Sequence, residues 1–522
     1  MASAFPLPIQ KNLKEIAGES AQILMILSLV FGAAGALVVL WMGSNLRNFV
    51  TAAAIFVAFL AAFVSGNPRL YCLWGLMLTI PLSLSKRFGP MYLGKPGGED
   101  SFRMEISDLF LLALAGFLLW EILIERRKGF RIPKVTFVWI LLIAIGCSWI
   151  VVGPWHIAAA HEVVRMLKVM VLFLVVANEL DRPNRIWHCA AGLALGAITE
   201  SAVGLVEYYM RGLIGLEVLG ETTAGTIDVL GATSVQGETV FRPSALLQHA
   251  NLLGIYLAVL IPLAMGMLIV SRRIVPRTFF LAAIGLGTPA MVVALSRSAW
   301  LSTATGTSLL LVFTLLHPGL RWRSLVASSL ACLLAIAVVT AFFDPISERL
   351  LRSKDDSTIA REIYKEDARR MIASAPWLGV GLNSYVFQLT KFASIAIQTY
   401  GSAPPAVHNI FYLWWAETGI VGMLLFCVVW GSIIWAGIAN LAVRDELLFV
   451  VNAACLAAMI SLIPDSFLSF TLRVNTALRL FWLLAGIIMA VRYLRLQERT
   501  ELWSPDDSTP APEPVLEPSR NG

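Results

Sequence analysis

Long apolar runs alternate with short polar stretches along most of the chain. Each run holds roughly 17–25 residues, which is the length that an α-helix needs to cross a bilayer. The runs are continuous and do not alternate residue by residue, so they favour helices over a membrane β-barrel. The pattern predicts an all-α polytopic integral membrane protein with about fourteen transmembrane helices. The predicted spans are 21–41, 49–64, 69–84, 107–124, 136–153, 162–179, 186–208, 248–270, 278–296, 299–316, 324–343, 410–438, 446–464 and 475–493.

Composition supports the same class of protein. The chain has 522 residues, of which 58% are hydrophobic and only 14% are charged. A soluble domain of this size could not keep so much apolar surface away from water. The formal net charge of +6 lies mostly in short loops, where basic residues set the topology, so it does not indicate nucleic-acid binding. These loops alternate correctly along the spans if both termini are cytoplasmic.

This topology predicts three parts. Residues 1–20 are a cytoplasmic segment, residues 21–499 form the transmembrane domain, and residues 500–522, rich in proline and acidic residues, are a disordered cytoplasmic tail. Two long loops, about 209–247 and 344–409, fall on the periplasmic side. The six cysteines lie in apolar runs without a Cys-x-x-Cys spacing, so neither a disulfide framework nor a zinc site is predicted.

A histidine and an asparagine stand where the chain re-enters the membrane after the longer loop. His408-Asn409 is followed by nine residues and then by Gly419-x-x-Gly422. The position places a titratable side chain at the lipid–water boundary, where lipid-borne substrates present their head groups. A histidine with a pKa near neutrality can accept the proton of a hydroxyl. The simpler interpretation is an interfacial histidine that only ends the loop.

The longer loop also contains a predicted amphipathic helix. Apolar residues between 358 and 372 follow helical spacing, and Arg361 lies on the other side of the helix. An interfacial helix whose cations meet anionic lipid is an equally good interpretation of Lys365, Arg369 and Arg370, and a weaker one for Arg361. Residues 376–381, Pro-Trp-Leu-Gly-Val-Gly, predict a tight turn that returns the chain towards the membrane.

Further cations stand at or within the predicted spans. Arg242 precedes Pro243 near the end of the shorter loop, and Arg297 lies in a very short loop between two spans. Arg165 and Lys168 share a helical face inside the sixth span, where charges are costly unless they are paired or line a wet cavity.

Alternatives to substrate binding stay open for these cations. Arg242 could snorkel to the membrane edge, and Arg165 could pair with Glu162 or Glu200. Arginine forks suit phosphate oxygens, and several of them around one cavity would stabilise a diphosphate leaving group. With a histidine base they fit the transfer of a glycan from a lipid diphosphate to a hydroxyl. No Asp-x-Asp motif or His/Cys cluster demands a metal, so no cofactor is predicted.

The ordered set of motifs resembles the O-antigen ligase and O-antigen polymerase superfamily of bacterial envelopes. The resemblance covers about residues 160–440. It rests on Arg242 with His249-Ala250-Asn251, Ser296-Arg297-Ser298, Arg361 with the 376–381 turn, and the His408-Asn409 motif with its Gly-x-x-Gly. The sequence departs from the family at Ala250, where the family usually has proline.

The resemblance implies a C-type glycosyltransferase-like fold and inverting, metal-independent transfer at the periplasmic face of the bacterial inner membrane. The implied donor is a glycan on a polyprenyl diphosphate of the undecaprenyl type, used in lipopolysaccharide or exopolysaccharide assembly. The resemblance further implies that Arg242 and Arg361 bind the diphosphate and that His408 activates the acceptor hydroxyl or orients the leaving group. The further substrate-binding candidates are Arg297, Lys168, Arg165, Asn409 and Asn251.

A ligase and a polymerase differ in the acceptor, which is lipid A–core for one and another lipid-linked repeat for the other. The complete His-Asn motif favours a ligase, whereas the many spans and long loops favour a polymerase. The competing class is a transporter or flippase of lipid-linked glycans, which predicts helix-breaking motifs in two related halves. We find no such pairing in the sequence. A structural scaffold would leave the outer-loop cations without a task.

Overall fold

The computed structural model describes residues 66–91, 98–124, 129–222, 232–235, 238–347, 356–393 and 406–503. The predicted segment 1–20, the first two predicted spans and residues 504–522 lie outside this part of the chain. The described helices are α1 Pro68–Thr79, α2 Ile106–Leu123, α3 Val135–Val152, α4 His156–Glu179, α5 Pro183–Met210, α6 Ala250–Val270, α7 Ile274–Val293, α8 Arg297–Leu316, α9 Arg321–Ala341, α10 Phe343–Ser347, α11 Asp356–Ser374, α12 Tyr385–Phe392, α13 Ile410–Asn440, α14 Glu446–Leu468 and α15 Asn475–Trp503.

Ten helices of the described part are long and apolar enough to cross a membrane. They are α2, α3, α5 to α9, and α13 to α15. Each coincides with a predicted span, so the prediction of a mostly helical, multi-pass membrane protein is confirmed. Helix α4, the predicted sixth span, is 24 residues long but contains four charged side chains, and by composition it falls outside the ten.

The predicted span 69–84 differs from the structure. Helix α1 has only 12 residues, and a helix of this length is about 18 Å long, which is short of the hydrocarbon core. Pro81 follows closely after the end of α1, where a proline cannot continue the helix. The apolar run is therefore long enough to cross a bilayer, whereas the helix that it forms is not.

Two short antiparallel hairpins depart from the all-α prediction. Strand β1, Ser85–Phe88, pairs with β2, Phe102–Glu105. Strand β3, Ala232–Val235, pairs with β4, Glu238–Phe241, inside the shorter predicted loop. Four-residue strands are too short to show a clear alternation of apolar and polar positions, so the sequence pattern does not reveal them. The second hairpin delivers the chain directly to Arg242.

The centre of the helical bundle is formed by α6, α14 and α15. In the apolar stretch of 18 residues that could cross the membrane, 89%, 78% and 89% of the residues of these helices are buried. In the corresponding stretch of α9 only 17% are buried. Small residues bring the helices close together, as where Gly254 of α6 faces Ala299 of α8. The apolar side chains that α9 exposes suit contact with lipid rather than with water.

A sharp interruption of α13 accommodates the 376–381 turn. Gly419 has φ +68°, outside the helical region, so the helix is broken there and backbone groups are released. A Cβ at Gly419 would overlap the carbonyl of Trp377, so only glycine permits the approach. Three backbone hydrogen bonds join the turn to α13: Ile420 N–H to Pro376 O (2.9 Å), Val380 N–H to Ala416 O (2.8 Å) and Gly381 N–H to Glu417 O (3.1 Å). The turn and the glycine motif therefore form one joint, which fixes α11 against α13.

Candidate functional site

Arg242 is buried at one end of the bundle, next to the start of α6. Its Nε donates to the carbonyl of Ala294, at 2.9 Å, and its Nη2 donates to Oδ1 of Asn251, at 2.7 Å. Ala294 is the C-cap that directly follows α7, and Asn251 is the second residue of α6. These two bonds fix the guanidinium between two helix ends. Arg242 therefore does not snorkel freely to the membrane edge.

His408 is half-buried just before α13 and stands among aromatic rings. It stacks on Tyr364 of α11, with ring centroids 5.9 Å apart, and meets the ring of Phe470 edge-on at 5.1 Å. Burial, and then the positive charge of Arg361, lower the pKa of His408 from its usual value of 6.5 to about 4. The imidazole is therefore neutral at physiological pH and can accept a proton.

Asp465 is a buried carboxylate in the last turn of α14 that brings the other groups together. The hydroxyls of Ser298 and Thr471 lie close to its carboxylate, and Arg361 interacts with it electrostatically. Ser298 is the second residue of α8, directly after Arg297. Asp465 therefore links the start of α8 with the arginine of α11.

His249 lies between Arg242 and His408 and interacts electrostatically with both. Its Nδ1 accepts the amide N–H of Asn251 at 3.0 Å, which caps α6 and places the hydrogen of the neutral ring on Nε2. Burial, then the charge of Arg242, then His408 lower the pKa of His249 to about 4. Ala250 begins α6, a position where the proline usual in the family would also be accepted.

Asn409 and Asn251 have structural contacts at the site. Asn409 caps α13, because its Oδ1 accepts the amides of Phe411 and Tyr412, each at 3.0 Å. Asn251 holds the guanidinium of Arg242. Arg297 is half-buried as the first residue of α8, at the same end of the bundle.

Arg165 and Lys168 belong to a cluster of buried ion pairs. Arg165 bonds Glu162 at 2.5 Å, which confirms the pairing suggested by the sequence, and it also donates to the carbonyl of Arg473. Lys168 pairs with Asp108 at 2.6 Å. Glu200, the other suggested partner of Arg165, instead accepts the amide of residue 246. Both cations are therefore bound by polar groups of the protein itself.

The ion-pair cluster is connected to the site by the turn Thr471–Arg473. Arg473 bonds Glu417 of α13 at 2.8 Å and Glu162 of α4 at 3.3 Å, and all three side chains are almost fully buried. Thr471 of the same turn reaches Asp465, and Phe470, which precedes the turn, contacts the ring of His408. The ion-pair cluster thus holds the turn that contacts Asp465 and His408.

The sequence motifs do not single out Asp465 or His249 as site residues. Asp465 is a single acidic residue at the end of an apolar run, one position beyond the predicted span 446–464. The one signal in the sequence is that an unpaired carboxylate next to a membrane span is energetically costly, so Asp465 is expected to have a partner. His249 is part of the motif beside Arg242, but its spacing does not distinguish a cap from a chemical group.

The assembled groups offer a definite chemistry. Arg242 and Arg361, two arginines from distant segments, have the charge and the donors to hold an anionic diphosphate, and the neutral imidazole of His408, close to Arg361, can take a proton. Guanidinium groups in a partly dehydrated site stabilise charge that develops on a leaving oxygen. Such a site suits group transfer from a phosphate-linked donor to a hydroxyl.

Comparison with known proteins bears on this assignment. Residues 282–427 match the family model described as O-antigen ligase. The matched region runs from α7 into α13 and contains Arg297, Arg361 and His408, whereas Arg242 and Asp465 lie outside it. No curated protein matches the chain. This match over residues 282–427 confirms the resemblance to the O-antigen ligase and polymerase superfamily that the motifs indicate.

Proposed function

We propose that the protein transfers a glycan from a polyprenyl diphosphate, of the undecaprenyl type, to a sugar hydroxyl of an acceptor. The reaction takes place at the periplasmic face of the bacterial inner membrane, in the assembly of lipopolysaccharide or exopolysaccharide. It inverts the anomeric centre and uses no metal. The acceptor is either lipid A–core, as for a ligase, or a second lipid-linked glycan, as for a polymerase.

The observation that carries this proposal is that His408 lies near Arg361 and, through His249, near Arg242 at one end of the bundle. They come from three segments that are far apart in the chain, and Asp465 and His249 join them. A scaffold has no need of such an arrangement. A transporter needs cations along a path, whereas these groups are concentrated at one end, close to a base.

The proposed reaction is a single displacement. The acceptor oxygen forms a bond to the anomeric carbon of the donor while the bond from that carbon to the diphosphate oxygen breaks. His408 takes the proton of the attacking hydroxyl, and the polyprenyl diphosphate departs with the bonding electrons. Arg242 and Arg361 hold the diphosphate as its charge increases. Attack from the side opposite the leaving group inverts the anomeric configuration.

Donor binding would also prepare the base. The charge of Arg361 is one of the causes that lower the pKa of His408 in the free protein. A diphosphate next to Arg361 offsets that charge, so the pKa of His408 rises when the donor is bound. A base with a higher pKa takes a proton more readily, and the donor therefore increases the basicity of His408 at the moment when it is needed.

The proposal is tested with purified protein in liposomes and a polyprenyl-diphosphate oligosaccharide as donor, in the presence of a chelator. Lipid A–core and a second donor molecule are offered as separate acceptors. Transfer to either one supports the proposal, and the productive acceptor distinguishes ligase from polymerase. Movement of the donor between leaflets without any new glycosidic product would refute it in favour of the transporter.

A further inference from the structure

A buried carboxylate on α5 binds the backbone of the segment 242–247, which we call the Arg242 segment. One oxygen of Glu207 accepts the amide hydrogens of Ser244 and Ala245, at 2.8 and 2.9 Å. Glu207 is fully buried. The two amides belong to the start of a short 3-10 turn, so the carboxylate takes the place of the missing backbone acceptors.

A second carboxylate on the same helix also accepts a backbone hydrogen bond from the Arg242 segment. Glu200 lies two turns before Glu207, and one of its oxygens accepts the amide of Leu246 at 3.0 Å. It is also fully buried. Three consecutive amides of the Arg242 segment are thus bound by two side chains on one face of α5.

The backbone of the segment has a conformation that requires such support. Ala245 has φ +48°, in the left-handed region that residues other than glycine rarely adopt. A residue persists there only when its surroundings fix it. The amide of Ala245 itself and that of Leu246 are both held by the carboxylates.

The restraint is passed to Arg242 through a stiff connection. Only Pro243 separates Arg242 from the bound amides, and the ring of proline fixes its φ angle. On the other side, Ala294 and Asn251 hold the guanidinium. A shift of the segment would therefore move the guanidinium away from these two partners.

We propose that Glu207 and Glu200 are positioning residues that hold Arg242 ready for the donor diphosphate before it binds. This inference rests on the proposed function for the part that concerns catalysis. Neither glutamate touches substrate; both act through the backbone of the Arg242 segment. Misplacement of a binding group by about 1 Å can lower a rate by about a hundredfold, so loss of this grip is expected to lower transfer strongly.

The test separates hydrogen-bond acceptance from charge. Glu207→Gln keeps a carbonyl oxygen that can accept both amides, whereas Glu207→Ala removes the acceptor. Ser201→Ala is the matched control, because Ser201 is equally buried on the same helix and its hydroxyl makes no hydrogen bond within the described part of the chain. Transfer rates of the three variants are compared with that of the wild type, and exchange of the amides of residues 244–246 with deuterium is followed in each.

We expect Glu207→Ala to lose transfer roughly ten- to a hundredfold and to exchange these amides faster. Glu207→Gln and Ser201→Ala should stay close to the wild type in both measurements. Full transfer by Glu207→Ala, or an equal loss in Glu207→Gln, would overturn the inference. If Glu207→Ala does not fold, Glu200→Ala, which releases one amide only, is measured instead with the same criteria.

The exchange measurement keeps the two proposals apart. A wild-type protein without transfer would refute the proposed function, while the amides of residues 244–246 would still show whether Glu207 holds the segment. Unchanged exchange in Glu207→Ala would contradict the positioning role whatever the transfer rates are.

Discussion

Gly379→Ala is expected to disable the site from a distance, through the joint between the 376–381 turn and α13. A Cβ at Gly379 would lie 2.5 Å from the carbonyl oxygen of Glu417 and 2.5 Å from the amide nitrogen of Thr418. The nearest atom would be the carbonyl carbon of Glu417 at 2.4 Å, whereas ordinary contact begins at 3.4 Å, so the two segments would have to separate by about 1 Å. All three opposing atoms belong to the backbone of α13 and cannot rotate away.

The energetic cost has two parts. Gly379 has φ +79°, and a side chain in the left-handed region costs about 1–2 kcal/mol. Separation weakens the three backbone bonds of the joint, each with a net contribution of about 1 kcal/mol. The expected loss of stability is about 2–4 kcal/mol. Because the joint fixes α11 against α13, Arg361 also moves relative to His408, which predicts about a hundredfold loss of transfer.

Gly431→Ala is the matched control. Gly431 lies on α13, where an added Cβ would meet no atom of the described residues within 4 Å, and alanine favours a helix by about 1 kcal/mol. Thermal unfolding and glycan transfer are measured for both variants in the same lipid. Equal unfolding and equal transfer in Gly379→Ala and Gly431→Ala would refute this reasoning.

Three further outcomes are expected. Asp465→Asn, which keeps the size but loses the charge facing Arg361, should transfer about tenfold more slowly with little change in thermal unfolding, and an unchanged rate would argue against a role for Asp465. The kcat/KM of the wild type should stay level as the pH falls and decline only near pH 4, because a base must be neutral and the pKa of His408 is about 4; a midpoint near 6.5 would contradict this. Arg473→Ala leaves the buried carboxylate of Glu417 without its ion-pair partner, while Glu162 keeps Arg165, and should destabilise the protein by about 3–5 kcal/mol in thermal unfolding, so a loss below about 1 kcal/mol is incompatible with the ion-pair cluster.

Most helices could be predicted from the sequence because a membrane span leaves a long and continuous signal. The length of an apolar run such as 446–464 was enough to predict a helix, and the helix found there is Glu446–Leu468. Errors arose where a local residue or a short element decided the structure. Pro81 follows the end of α1 at Thr79, and the β3–β4 hairpin is too short to produce a period.

The site was predictable to the extent that its residues stand in motifs. Phosphate chemistry and the ordered motifs pointed to Arg242, Arg361 and His408, and the structure places these residues within electrostatic reach of one another through His249; their roles stay predictions. Asp465 has no such local context, and its contacts depend on packing between α8, α11 and α14. Glu207 likewise acts on a backbone that is 37 residues away, which no spacing rule connects.

The most direct test of the central claim compares glycan transfer by the wild type with that of Arg361→Ala, His408→Ala and Arg369→Ala. Arg369 is on the same helix as Arg361, but it is exposed and paired with Glu366, so it serves as the control for loss of a cation. We predict that Arg361→Ala and His408→Ala abolish transfer from the polyprenyl-diphosphate donor while Arg369→Ala retains it. Full transfer by either of the first two variants would contradict the assignment of the site.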